Sequence, residues 1–177
     1  ERCQAWEYLA EIYRERSDHT RSIKALMNAL IEYPQFPSTY FSLGLSYMLK
    51  EEWDTARFWA ITGSKVPASK STLVSNPLDI EARAYEIIYN ASLNMGMTDE
   101  SWAAAEKLKE LFPYDKTIED QWNFINGVKE QKEIFIKYMD LINHLSTSNQ
   151  KEKLKPMLMA APDSIADNPV LLNLYHD

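Results

Sequence analysis

Apolar residues recur at helical spacing from the start of the chain. Trp6, Leu9, Ala10 and Tyr13 fall at i, i+3, i+4 and i+7, one face of a helix, and Ser22, Leu26 and Ala29 continue the pattern on a second. Between them, Ser17-Asp18-His19-Thr20 is a run of cap formers, so Asp18 or Thr20 is expected to accept from the free N–H groups that open the second helix. The pattern then returns after 34 residues: Tyr40, Leu43, Gly44, Tyr47, Ala56, Ala60 and Gly63 stand in for Trp6, Leu9, Ala10, Tyr13, Ser22, Leu26 and Ala29. Large rings at Trp6, Tyr13, Tyr40 and Tyr47 alternate with small residues at Ala10, Ala29, Gly44, Ala56 and Gly63, the complement needed for close helix packing. Pro34 closes the first unit and Pro37 opens the second, because proline ends a helix interior but is tolerated in a first turn.

A third helix pair is predicted between Leu78 and Pro113. Gly96-Met97-Thr98-Asp99 marks a stop and restart, and Trp102-Ala103-Ala104-Ala105 begins a strong helix former. Counting back from Pro113 puts Tyr85 and Ile88 at the aromatic and leucine places. It also puts Tyr89 where a small residue belongs and Ser92 where a tyrosine belongs, which leaves a slipped register open. From Lys116 the period is lost. Thr117 with Asp120 reads as a capped start, and Trp122, Ile125, Val128, Ile134, Phe135, Tyr138, Met139, Leu141, Ile142 and Leu145 predict one long amphipathic helix, or two in line with a break at Gly127. Shorter helices are expected towards Ala161-Pro162 and over Val170–Tyr175.

The offsets in residues 3–67 resemble the tetratricopeptide repeat, in which paired helices stack on one another and a terminal helix hides the last exposed face. The resemblance implies an all-α, right-handed superhelix. Its expected layout is three helix pairs over 1–113 (1–35, 36–68 and 78–113), an insertion at 64–78, and C-terminal capping helices over 114–177. The insertion is either a surface excursion covering the second unit with Val66, Leu73 and Val74, or a partner-contacting loop using Lys65 and Lys70. A narrower likeness lies in Pro37-Ser38-Thr39-Tyr40-Phe41-Ser42-Leu43-Gly44, Lys65-Val66-Pro67 and Asn76-Pro77-Leu78-Asp79, which are similar to the helical-repeat segment of bacterial and phage polypeptides carrying family 2 glycosyltransferase domains. It implies a module attached to a sugar-transfer enzyme. The absence of a leading methionine and a start in mid-helix fit a segment of a longer polypeptide.

Composition narrows the chemistry. The net charge of −7 offers no general attraction for phosphate backbones, which argues against nucleic acid. Four scattered glycines cannot write a phosphate loop or a dinucleotide fingerprint. Cys3 has no cysteine partner, and His19, His144 and His176 are too dispersed for a local metal motif, so neither cofactor nor metal is expected. With no signal peptide and no membrane-spanning run, a cytoplasmic setting is the expectation. Asp79-Ile80-Glu81 follows Asn76-Pro77 at a helix start, where acidic side chains favour the positive end of the dipole, and is read as capping rather than as cation ligands. His19 takes the place of Trp53 in the next unit and is read as packing. Asn90-Ala91-Ser92 sits inside a helix and is a chance glycosylation match. No catalytic constellation remains, so the chain is not expected to be an enzyme.

What remains is binding. In the repeat that this chain resembles, the first helix of each pair builds the concave surface. The outward residues there are Gln4, Glu7, Glu11 and Arg14, then Phe41, Leu45 and Met48, then Glu86, Asn90 and Leu93. Members that hold an acidic chaperone tail present Lys, Arg and Asn at such places, whereas Glu7 and Glu11 would repel it. Phe41, Leu45 and Met48 suit an apolar peptide, another domain of the parent polypeptide or another subunit, a homo-oligomer included. A rival reading has the segment hold a peptide or glycan acceptor for a transferase, using Trp59, Trp102 or the 64–78 loop.

Overall fold

The helices begin where caps and prolines allow. In a computed structural model, which describes residues 2–67, 77–147, 151–153 and 156–157, α1 (Arg2–Glu15) and α2 (His19–Glu32) form the first pair. They are followed by α3 (Pro37–Met48) with α4 (Trp53–Ser64), α5 (Pro77–Asn94) with α6 (Thr98–Leu111), and then α7 (Lys116–Thr147). There is no strand among the described residues. Asp18 caps α2 by accepting from the Arg21 N–H at 3.1 Å. Asp115, rather than Thr117, caps α7: its Oδ1 accepts from the N–H groups of Thr117 (2.8 Å) and Ile118 (3.2 Å), which puts Thr117 inside the helix. Of the 64–78 insertion, residues 65–67 follow α4 and Pro77 opens α5; residues 68–76 lie outside the described residues, as do the helices expected near Ala161 and over Val170–Tyr175.

One turn recurs inside all three pairs. Ser17 (φ 58°), Glu51 (φ 61°) and Gly96 (φ 71°) occupy the left-handed region, the first two 34 residues apart and the next two 45 apart. Each lies in the same double closure. The N–H groups of Asp18, Glu52 and Met97 bond back to the carbonyls of Tyr13, Tyr47 and Ser92, while those of Ser17, Glu51 and Gly96 bond to Arg14, Met48 and Leu93. This is the Schellman closure of a helix. It fixes the register of the third pair at the count made back from Pro113, with no slip.

Within that register the third pair exchanges large for small. Tyr89 is buried at the place held by Ala10 and Gly44, and its hydroxyl lies 3.5 Å from the Gln121 carbonyl of α7. Ser92 takes the place of Tyr13 and Tyr47. In the first pair the guanidinium of Arg21 lies over the Tyr13 ring; at the matching places here the Ser92 hydroxyl donates to Glu100 at 2.7 Å. The smaller serine leaves room for Glu100 to accept both Nε (2.5 Å) and Nη2 (2.7 Å) of Arg57, a bidentate bond that ties α4 to α6.

The pairs stack through their small residues. Ala10, Ala25, Leu26 and Leu43 form a core against which Trp6, Leu9, Tyr47 and Trp59 pack. Ala29, Ala56 and Ala60 are buried, as are Gly44 and Gly63. A Cβ on Gly44 would meet the Ala56 carbonyl oxygen at 3.1 Å and Ile87 Cδ1 at 3.2 Å; on Gly63 it would meet Phe41 Cε1 and Tyr40 Cβ at 2.7 Å. The Tyr40 hydroxyl also donates to the Pro34 carbonyl at 2.8 Å, latching the second pair to the proline that closes the first.

The chain divides into two compact units, Glu1–Ile125 and Asn126–Asp177, with the division inside α7. In the first unit Ile118 and Ile125 of α7 are buried and Lys109 lies 3.6 Å over the Trp122 ring. In the second unit α7 runs through Gly127 without a break and buries Ile142 and Leu145, while Ile134 and Leu141, expected on the apolar face, are exposed.

Three substitutions test the packing and the turn. Gly63→Ala should cost about 1–3 kcal/mol because backbone-linked ring atoms must move, whereas Gly127→Ala, with open space around it, should gain about 1 kcal/mol of helix stability. Glu51→Gly should gain about 0.5–1 kcal/mol by removing a Cβ from the left-handed region. Urea melts that rank these three otherwise would refute the packing account.

Candidate functional site

Helices α1, α3 and α5 each place one face on a shared groove of about 330 Å³ within the first unit. Glu11 and Arg14 line it from α1, Phe41, Ser42, Leu45 and Met48 from α3, Arg83, Glu86, Ile87 and Asn90 from α5, and Gln121 from α7. The shared register explains the convergence: Glu11, Leu45 and Asn90 occupy one level of three like helices, and Phe41 and Glu86 occupy another.

Seven residues expected on the concave face, Glu11, Arg14, Phe41, Leu45, Met48, Glu86 and Asn90, therefore meet in one groove. Glu7 and Leu93 do not line it. Glu7 turns towards α3, where the buried Thr39 hydroxyl donates to its Oε1 at 2.6 Å. Phe41 belongs to the groove only as floor: it is 2% exposed, because its ring fills the space that the missing Cβ of Gly63 leaves. Ser42, Arg83, Ile87 and Gln121 line the groove without having been anticipated. Arg83 was within reach of sequence reasoning, one turn before Glu86 on the same helical face. Gln121 was not, since its place depends on how α7 crosses the stack.

Charge in and near the groove is uneven. Arg14 is held by Glu11 at 3.7 Å. Burial pushes the Glu7 carboxyl above its ordinary value, against the Thr39 hydrogen bond, which favours the ionised form. Desolvation by the surrounding walls likewise raises Glu86; Arg83 opposes this and Asp115 adds to it. Glu100, outside the groove, moves the other way, lowered chiefly by the Arg57 hydrogen bond. Burial, then the charge of Glu7, raises the Cys3 thiol. Asn90 donates its amide to the Glu86 carbonyl at 2.8 Å, and Ser92 of the formal glycosylation triplet is buried.

Other sequence candidates lie elsewhere. Trp59 packs on Tyr40 (centroids 6.0 Å apart) and Phe58 (5.4 Å), and neither it nor Trp102 lines the groove. His19 is half-buried at the start of α2, with Nδ1 enclosed and unbonded. Among the described residues no three His, Cys, Asp or Glu side chains gather as metal ligands, and no helix is long and apolar enough to cross a membrane.

Two solved structures share this fold. The first TPR domain of Spaghetti (RPAP3), bound to the HSP90 peptide SRMEEVD, superposes with a TM-score of 0.62 at 12% identity, over 73% of this chain and 96% of that one. The fold is of the tetratricopeptide type. The first TPR domain of human RPAP3, solved by NMR, gives 0.62 at 14% identity over 75% and 95%. No family model and no curated protein matches the sequence, and the likeness to sugar-transfer polypeptides finds no support in these comparisons.

The two shifted carboxylates make opposite pH predictions. A raised native pKa means that the native state holds its proton more tightly, so Glu7 withdraws stability as pH rises from the unfolded value, near 4.5, through the native one. Glu7→Gln should therefore raise the melting temperature at pH 7 and lose that advantage at pH 4. Glu100 contributes stability above its unfolded value and loses it as pH falls through the depressed native one. Glu100→Gln should thus cost about 1–2 kcal/mol at pH 7, with the gap closing in acid. Melts at both pH values that showed the same sign for the two variants would contradict the assignment.

Proposed function

We propose that this chain is a non-catalytic interaction module that holds a peptide segment of another protein in the groove between α1, α3 and α5. The observation that carries the reading is the groove's construction: an apolar floor of Phe41, Leu45, Met48 and Ile87 under a rim of acidic, basic and amide side chains. A short floor of this kind anchors one or two apolar side chains, and the rim orients them. The Spaghetti domain, with a similar fold, holds a peptide. Here Glu11 and Glu86 stand on the groove walls, so an acidic tail of the SRMEEVD kind is disfavoured by like charge. The segment belongs to another domain of the parent polypeptide, another subunit or a separate protein. The phrases at Pro37–Gly44, Lys65–Pro67 and Asn76–Asp79 make a sugar-transfer polypeptide the proposed setting, which the parent reading frame tests directly.

Selection from a displayed library of random ten-residue peptides on the whole chain tests the groove. Binders should lose affinity by tenfold or more for Leu45→Glu and Met48→Glu, with both variants expected to melt like the parent because neither side chain is buried, while labelled SRMEEVD should show no saturation below about 1 mM. Phe41→Glu is unsuitable, since a buried ring is lost with it. Binders indifferent to Leu45 and Met48, or none at all, would sink the reading; light scattering on the parent chain shows whether a second copy occupies the groove instead.

A further inference from the structure

Beside the groove lies a second depression of about 260 Å³, lined by Ala82, Arg83, Glu86, Phe112, Asp115 and Ile118. Arg83 and Glu86 border both cavities, so a segment leaving the groove towards α7 must pass them. Arg14 already has Glu11 within 3.7 Å. Glu86 has no such partner: its carboxylate accepts no hydrogen bond and makes no ion pair among the described residues. Arg83, one turn away, is exposed and forms no ion pair with it. Asp115 stands on the far side. Its Oδ1 is engaged by the N–H groups of Thr117 and Ile118. The formal charge along the two cavities is two positive, from Arg14 and Arg83, against three negative, from Glu11, Glu86 and Asp115.

Resting on the groove reading above, we infer that the partner segment is basic as well as apolar: a lysine or arginine side chain meets Glu86 where the two cavities join, next to an apolar side chain seated on Leu45, Met48 and Ile87. The chain's overall charge of −7 draws such a segment in from a distance. Glu86 is exposed, so its carboxylate is open to an incoming cation, and desolvation with the nearby Asp115 charge holds its pKa above the ordinary value against Arg83, which a direct bond to a cation would offset. Phe41 shares the level of Glu86 and Ile87 follows it in sequence, which sets the basic and apolar side chains of the segment within about one helical turn of each other.

The same random-peptide selection reads this separately from the groove itself. Groove-dependent binders should be enriched in lysine or arginine within four residues of a leucine, methionine or phenylalanine. A synthetic peptide of that consensus should bind Glu86→Gln about three- to tenfold more weakly and Arg83→Gln more tightly than the parent chain, by fluorescence anisotropy. Opposite shifts from neighbouring positions are not produced by a loss of packing. Groove-dependent binders with an acidic or uncharged consensus would overturn the inference while leaving the groove reading intact, as would an affinity unchanged by Glu86→Gln. Absence of any groove-dependent binder would overturn both.

Discussion

The structure depends on the close approach of helices over residues with no side chain to obstruct them. At Gly63 two ring-bearing residues of α3 come within 2.7 Å of where a Cβ would stand, and at Gly44 a carbonyl oxygen of α4 and a methyl of α5 come nearly as close. Such separations bring aromatic surface into dispersion contact along whole helix faces. They also set the approach of α4 and α5 to α3, which carries the floor of the groove. Phe41 shows the coupling directly, since the ring that fills the space over Gly63 is also the floor of the cavity.

A second constraint is the turn inside each pair. Ser17, Glu51 and Gly96 all take the left-handed conformation, although only the last is glycine. The double hydrogen-bond closure over Tyr13, Tyr47 and Ser92 outweighs the Cβ penalty at the first two sites. Because the closure uses backbone groups, it is indifferent to side chains. That is how the third pair keeps its register while exchanging tyrosine for serine at one position and a small residue for tyrosine at another. The exchange has consequences nearby: Ser92 leaves space for the Arg57–Glu100 bond between α4 and α6, and Tyr89 reaches towards α7.

Electrostatics distinguishes the three shifted glutamates. Glu100 has Arg57 and Ser92, and is held ionised. Among the described residues Glu7 has only the Thr39 hydroxyl as a hydrogen-bond partner, and burial works against its charge. Glu86, exposed on the groove wall, has Arg83 on one side and Asp115 on the other, and desolvation raises it while Arg83 opposes the rise. The stack thus pairs Glu100 across two helix pairs, while Glu86 on the groove wall makes no ion pair among the described residues.

The helix pairs, the 34-residue interval between the first two, the small residues at their crossings and most of the groove's lining were legible in the sequence, because helical periodicity and turn chemistry are local properties that survive without a fold. Tertiary packing decided what local patterns cannot express. It turned Glu7 from the concave face to Thr39 and sank Phe41 into the floor, since a side chain's direction depends on the neighbour across the interface. It brought Gln121 to the groove through the path of α7 and carried that helix straight through Gly127, where nothing crowds the backbone. It also joined Arg57 to Glu100 across 43 residues, a pairing that only the stacking of one helix pair on the next could make.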